Sequence, residues 1–171
     1  MQVWRLAKAA RPTFDGEGAR LYGGRWNHLG VPVVYTSNSL SLAVLEYFVH
    51  LDIDLAPTLV AIPADIPDTI GVLHVGASAL PPDWRHTPAP AALANLGSTW
   101  ARERATAVLA VPSVLVPTET NYILNPAHPD FGRIIVGAPV TFSLDPRMLK
   151  TSSRRTRRRA GRPSPVHRKK R

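Results

Sequence analysis

Residues 38–51, NSLSLAVLEYFVHL, constrain the fold more than any other stretch of this chain. Asn38 and Ser39 are helix N-cap residues, and the segment after them reads as a helix running to about Leu51. Plotted at about 100° per residue, this helix is apolar around nearly its whole circumference. The exception is a narrow stripe of Ser39, Ala43, Glu46 and His50. A helix of this kind is expected deep inside a domain. The carboxylate of Glu46 is then expected to open onto a cleft rather than onto bulk water.

The flanking sequence supplies candidate strands. Residues 2–7 alternate like an opening strand, and the polar, Gly-rich stretch 11–22 reads as a loop. Arg25–Asn27 is expected as a short strand, 28–30 as a turn, and Val31–Thr36 as a second strand. The pair resembles a hairpin, across which Arg25 would approach Tyr35. Residues 57–63 and 69–75 read as strands, 81–90 as a Pro-rich loop, and 91–104 as a helix with Leu93, Leu96 and Trp100 on one side. Residues 107–116 form a strongly apolar strand, 121–130 read as polar turn material, and 133–136 and 140–144 are short strands. Short strands punctuated by two helices imply a mixed α/β or α+β domain. The regular βαβα rhythm and the GxGxxG loop of a Rossmann fold are both missing.

The chain has 171 residues, enough for one domain of ordinary size. Its net charge of +9 is misleading as a global property. Residues 150–171 hold 11 of the 21 Lys and Arg and no acid, which leaves ten basic against twelve acidic residues in 1–149. The expected organisation is therefore a near-neutral domain over 1–149 and a basic, disordered tail over 150–171. The tail invites weak, salt-sensitive, nonspecific contact with nucleic acid, and the domain does not. Cysteine is missing, which excludes disulfides, thiolate metal sites and a cysteine nucleophile. No secretory signal and no membrane-spanning apolar run is read from the sequence, so a cytoplasmic protein without membrane contact is expected.

Arg25, Tyr35 and Glu46 fall on three successive expected elements. A cation, an aromatic face and a carboxylate at one pocket suit a ligand that carries phosphates, an aromatic ring and a ribose, and NAD is such a ligand. Cleaving its nicotinamide–ribose bond passes through an oxocarbenium-like ribose and requires no metal. Glu46 is the candidate to stabilise that developing charge. Arg25, with Arg5 as a second candidate, would hold the pyrophosphate in bidentate fashion. Tyr35 would stack on nicotinamide, with its hydroxyl free to fix an acceptor. Ser113, at the end of an apolar strand, would orient ribose or the nicotinamide amide. Trp26, Asn27 and Asn121 complete the set of residues expected to contact NAD. NAD is a substrate in this reading, and no cofactor or metal is called for.

Each of these residues also has a structural reading. Glu46 and His50, four apart, would form the wet edge of a packed helix. Arg25 would pair with Asp15 or Glu17, and Tyr35 would be a core strand residue. Ser113 would be a turn hydroxyl, Asn121 and Asn125 would serve turns or caps, and Glu119 would be an ion-pair partner. None of the six histidines falls in a metal-binding spacing.

The run GARLYGGRWN, then GVPVVYTS, then the helix with LAVLE, then VLAVPSVLVPTETNYILNPAHPDF resembles the RES domain, from about Val3 to Leu149. RES domains are the toxin halves of Xre–RES toxin–antitoxin pairs. The resemblance implies a fold similar to ADP-ribosyltransferases and an activity that consumes NAD by degradation or phosphorolysis. In some members it implies ADP-ribosylation of a protein instead. It carries the family's Arg, Tyr, Glu and Ser over to Arg25, Tyr35, Glu46 and Ser113. It also implies a helical Xre-like antitoxin that covers the active site in trans. The basic tail extends beyond the point where RES domains usually finish. A competing expectation from another class is a non-enzymatic, nucleic-acid-associated protein that works through this tail.

Overall fold

The computed structural model describes residues 1–51 and 57–149. Eight strands form one sheet: β1 (Gln2–Lys8), β2 (Val34–Ser37), β3 (Leu59–Asp65), β4 (Val72–His74), β5 (Val108–Pro112), β6 (Thr120–Leu124), β7 (Ile135–Val136) and β8 (Val140–Phe142). Their order is β4-β5-β6-β2-β1-β3-β7, with β8 also on β3, and only β4 and β5 run parallel. Among the described residues three α-helices accompany it: α1 (Glu17–Tyr22), α2 (Leu40–Phe48) and α3 (Ala91–Glu103). The fold is α+β, as expected. The basic tail lies outside the described residues.

Strand alternation sorts the core into two faces. On one face, Leu109, Val111 and Ile123 pack with Trp26, Trp84, Leu93 and Trp100, beneath α3. Further along the same face, Leu6, Leu59 and Ala61 pack against Ala43 and Val44 of α2. On the other face, Val3, Val34, Ala64, Val108 and Leu124 pack with Ile66, Ile70 and Ile134.

Several expectations are corrected. Residues 25–27 are not a strand. Gly24 to Asn27 close a tight turn, in which Gly24 N–H donates to the Asn27 carbonyl at 2.9 Å and Asn27 N–H donates back at 3.4 Å. Part of the expected 11–22 loop is helical, because Gly16 at φ 76° starts α1 and Gly23 at φ 68° ends it. Residues 121–124, expected as turn material, belong to β6 in the middle of the sheet, between β2 and β5. Its Asn and Pro neighbours mask the strand pattern, and pairing on both sides overrides local propensity. Helix α2 is also less enclosed than its composition implies. Leu42, Ala43 and Val44 are buried, but Leu45 is 40% and Val49 is 54% exposed. The Ser39 cap is as expected, accepting from Leu42 N–H at 3.1 Å.

Gly97 of α3 packs closely on the backbone of Trp26. A Cβ placed there would sit 2.0 Å from the Trp26 carbonyl oxygen. In a helix interior, Gly→Ala normally gains up to about 1 kcal/mol of helix propensity, whereas overpacking against rigid backbone costs about 1–3 kcal/mol. The clash is expected to win. Gly97→Ala should lower the melting temperature by several degrees, and a thermal melt in which the variant is as stable as wild type would contradict this packing.

Candidate active site

Four elements deliver polar groups to one end of the sheet. Glu46 comes from α2, Ser37 closes β2, Ser113 follows β5, and Asn121 lies near the start of β6. The Ser113 hydroxyl donates to Glu46 Oε1 at 2.8 Å, and Asn121 Nδ2 donates to the same oxygen at 2.6 Å. The Asn121 carbonyl oxygen accepts from the Ser37 hydroxyl at 2.7 Å. Glu46 is half-buried, and among the described residues its Oε2 has no hydrogen-bond partner. One carboxylate oxygen is thus anchored and the other is left for a ligand. Ser113 is fully buried. Its hydroxyl also accepts from the N–H groups of Leu115 and Val116, both at 3.1 Å. It holds Glu46 and the turn together instead of facing open space, so the structure gives it a different partner from the expected ribose or amide.

Arg25 projects from the Gly24–Asn27 turn. Its guanidinium donates to the carbonyls of Trp84 at 2.7 Å and His86 at 3.2 Å. Those carbonyls lie in the Pro-rich loop 81–90, a pairing with no sequence signal. Burial lowers the Arg25 pKa, while the nearby charge of Glu46 and the Tyr35 oxygen oppose that shift. Of the five guanidinium N–H groups, these two bonds leave three without a partner among the described residues. The alternative pairing with Asp15 or Glu17 does not form, since Glu17 bonds Arg20 at 2.6 Å.

Tyr35 lies beside Arg25, but its hydroxyl is fully engaged. It donates to Asn27 Oδ1 at 2.7 Å and accepts from Trp26 N–H at 3.0 Å. Gly24 makes room for this, because a Cβ there would sit 2.5 Å from the Tyr35 oxygen. Asn27 is 1% exposed, and its Nδ2 is shared among the carbonyls of Ala19, His28 and Val31. Trp26 is 3% exposed. Asn27 and Trp26, expected to contact NAD, are buried in the turn that carries Arg25 and have protein partners there.

Arg5 is not at this site. It alternates along β1 with Trp4 and Leu6, which face α2, so it leaves the sheet on the opposite side. There burial lowers its pKa, and the charge that opposes the shift comes from Asp15. Asn121 does reach the site, and both ends of its amide are bound to protein. Asn125 serves a turn, donating to the Ala101 carbonyl at 2.9 Å and accepting from Ala127 N–H at 3.0 Å. Glu119 forms no ion pair among the described residues and meets the Ser39 hydroxyl at 3.4 Å. Among the described residues, no three His, Asp or Glu side chains converge as a metal site requires. No described helix is long and apolar enough to cross a membrane.

Two hollows lie elsewhere. One, of about 300 Å³, is lined by residues such as Leu29, Arg104 and Asn125. The other, of about 530 Å³, is an apolar groove along Leu40, Val44, Leu45, Phe142 and Met148. Neither includes Arg25, Tyr35 or Glu46, so it is the convergence of charged and polar groups that marks the site.

Burial pushes the Tyr35 phenol well above its ordinary value. The fold favours the neutral phenol. The stability this contributes is intact below about pH 10, the ordinary tyrosine value. It is lost as the pH rises further, because the unfolded chain then releases a proton that the folded chain retains. In an alkaline absorbance titration, Tyr35 should ionise only as the protein unfolds, and Tyr35→Phe should remove that late signal. Loss of a tyrosine that titrates near pH 10 would contradict the burial.

Comparison with known proteins bears on the family and the fold. The sequence model of the RES domain matches residues 2–145. A protein of Sphingobium sp. named Prs ADP-ribosylating toxin is 41% identical over 156 residues, covering 86% of this chain and 96% of that protein. A protein of Yersinia enterocolitica named Toxin Res is 38% identical, covering 86% of this chain and 99% of that one. Among solved structures, one chain of the M. tuberculosis MbcT–MbcA toxin–antitoxin complex is similar in fold. It has a TM-score of 0.67 and 19% identity, with 83% of this chain and 84% of that chain covered.

Proposed function

Because the chain belongs to the RES domain family, we propose that it is the toxin of a toxin–antitoxin pair and that it consumes NAD at the Arg25–Glu46 site. The observation that carries this reading is the asymmetric anchoring of Glu46. Two donors hold Oε1, so Oε2 is presented in a fixed position beside a half-buried guanidinium.

In the proposed mechanism, Oε2 hydrogen-bonds the hydroxyls of the nicotinamide ribose. As nicotinamide departs with the bonding electron pair, the ribose gains positive charge. A carboxylate held in place before the reaction stabilises that charge without reorganising. Arg25 anchors the pyrophosphate through its remaining N–H groups, its direction set by the Trp84 and His86 carbonyls. The ring of Tyr35 offers a wall for nicotinamide, while its hydroxyl maintains the turn. Ser113 acts on substrate through Glu46. The ribosyl cation is then captured by water or phosphate.

A second reading is transfer of ADP-ribose to a protein, favoured by the name of the Sphingobium relative. Both reactions release nicotinamide and differ only in the acceptor. An Xre-like antitoxin acting in trans fits either, and the neighbouring fold comes from a toxin–antitoxin complex.

The test is a time course of NAD with the full chain, with and without phosphate, in which every NAD-derived product is identified by mass. Glu46→Gln should slow nicotinamide release by about a hundredfold or more with little change in melting temperature. Arg25→Lys should raise the KM for NAD, because lysine lacks the bidentate fork. NAD loss at the wild-type rate in a folded Glu46→Gln protein would refute the mechanism. Deleting 150–171 should leave NAD turnover intact, and loss of turnover on deletion would shift weight to a tail-dependent function.

A further inference from the structure

We propose that Ser37, a buried hydroxyl at the end of β2, is a positioning residue for the Glu46 carboxylate and acts through the Asn121 amide. The inference deepens the reading above and rests on it.

A side-chain amide can sit in either of two orientations that are nearly identical in shape and opposite in polarity. In one, Asn121 presents N–H to Glu46 Oε1. In the other, it presents a carbonyl oxygen to a carboxylate, which removes a donor and adds repulsion. Ser37 is the group that separates the two. It is 3% exposed, and its hydroxyl lies 2.7 Å from Asn121 Oδ1. Among the described residues that hydroxyl makes no other hydrogen bond. A buried hydroxyl must place its proton on an acceptor, and the only one offered among the described residues is the Asn121 side-chain carbonyl oxygen. Accepting that proton turns Nδ2 toward Glu46, where the 2.6 Å contact is found.

The lock is also mechanically sound. Ser37 is paired with Trp4 of β1 on one side and with Asn121 of β6 on the other. It therefore sits on backbone that is fixed from both edges. Glu46 rides on α2, a separate element. The relay Ser37–Asn121–Glu46 ties that helix-borne carboxylate to the sheet at a defined angle. Ser113 supplies the second donor to Oε1, so loss of the Ser37 contact loosens the carboxylate without releasing it. The effect belongs in the rate of the chemical step and not in substrate affinity, because misplacing a reacting group lowers rate at constant binding.

Two measurements on the full chain test this. In the first, Ser37→Ala should lower kcat for NAD loss by about tenfold and change KM less than about twofold, a typical penalty for losing a residue that orients a reacting group. Ser37→Thr, which restores a hydroxyl, should recover most of the rate. In an Asn121→Ala background, Ser37→Ala should cost nothing more, since no amide remains to be oriented. Wild-type kcat in Ser37→Ala, or independent multiplication of the two losses, would overturn the proposal. The second measurement needs no substrate. In ¹⁵N-labelled protein, the Asn121 side-chain signals, assigned by their disappearance in Asn121→Ala, should shift and exchange faster with water in Ser37→Ala. Unchanged signals would overturn the positioning role. If the wild-type chain leaves NAD intact, the function reading fails, and this second measurement alone still decides whether Ser37 orients Asn121.

Discussion

The site depends on one half-buried carboxylate. A charge on the inner side of a helix is costly unless it is hydrogen-bonded, and Glu46 meets that requirement with two donors on a single oxygen. The arrangement fixes more than the side chain. It brings the end of β2, the start of β6 and the turn after β5 against α2, so the mouth of the site is a junction of four elements. The same donors that make burial tolerable leave Oε2 directed and without a partner among the described residues. In the proposed mechanism, stability and reactivity therefore share one set of hydrogen bonds.

A second knot presents the cation. Asn27 has no exposed work to do. Its amide gathers three carbonyls and its oxygen takes the Tyr35 proton. Trp26 packs beneath α3 at a point where Gly97 lets the two backbones meet. The Gly24–Asn27 turn is thereby clamped from below, and Arg25 emerges from it toward loop 81–90. Trp26 and Asn27, expected at the ligand, are buried in the frame that carries Arg25. The distinction is physical: a buried amide with every polar atom satisfied has nothing left to offer a substrate.

Much of this was legible in the chain. Helix α2 and its Ser39 cap follow from the apolar period and the residue that precedes it, and Glu46 stands out as the one acid in that period. β1, α3 and the apolar β5 were readable for the same reason. Other features were hidden because they depend on distant partners. β6 carries Asn121 and is followed by Asn125 and Pro126, residues that locally signal a turn, and only pairing with β2 and β5 makes it a strand. The Ser37–Asn121 contact joins residues 84 apart in sequence. The Trp84 and His86 carbonyls that receive Arg25 carry no side-chain signal at all. Arg5 shows the opposite failure: a suitable residue type, placed by strand alternation on the wrong face.

The most direct test of the account is a crystal structure of the protein with a non-cleavable NAD analogue whose ribose oxygen is replaced by carbon. The account predicts nicotinamide ribose hydroxyls within hydrogen-bond distance of Glu46 Oε2, the pyrophosphate on Arg25, and the Ser37–Asn121–Glu46 relay unchanged. An analogue seated in the apolar groove along α2, or bound with its ribose turned away from Glu46, would contradict it.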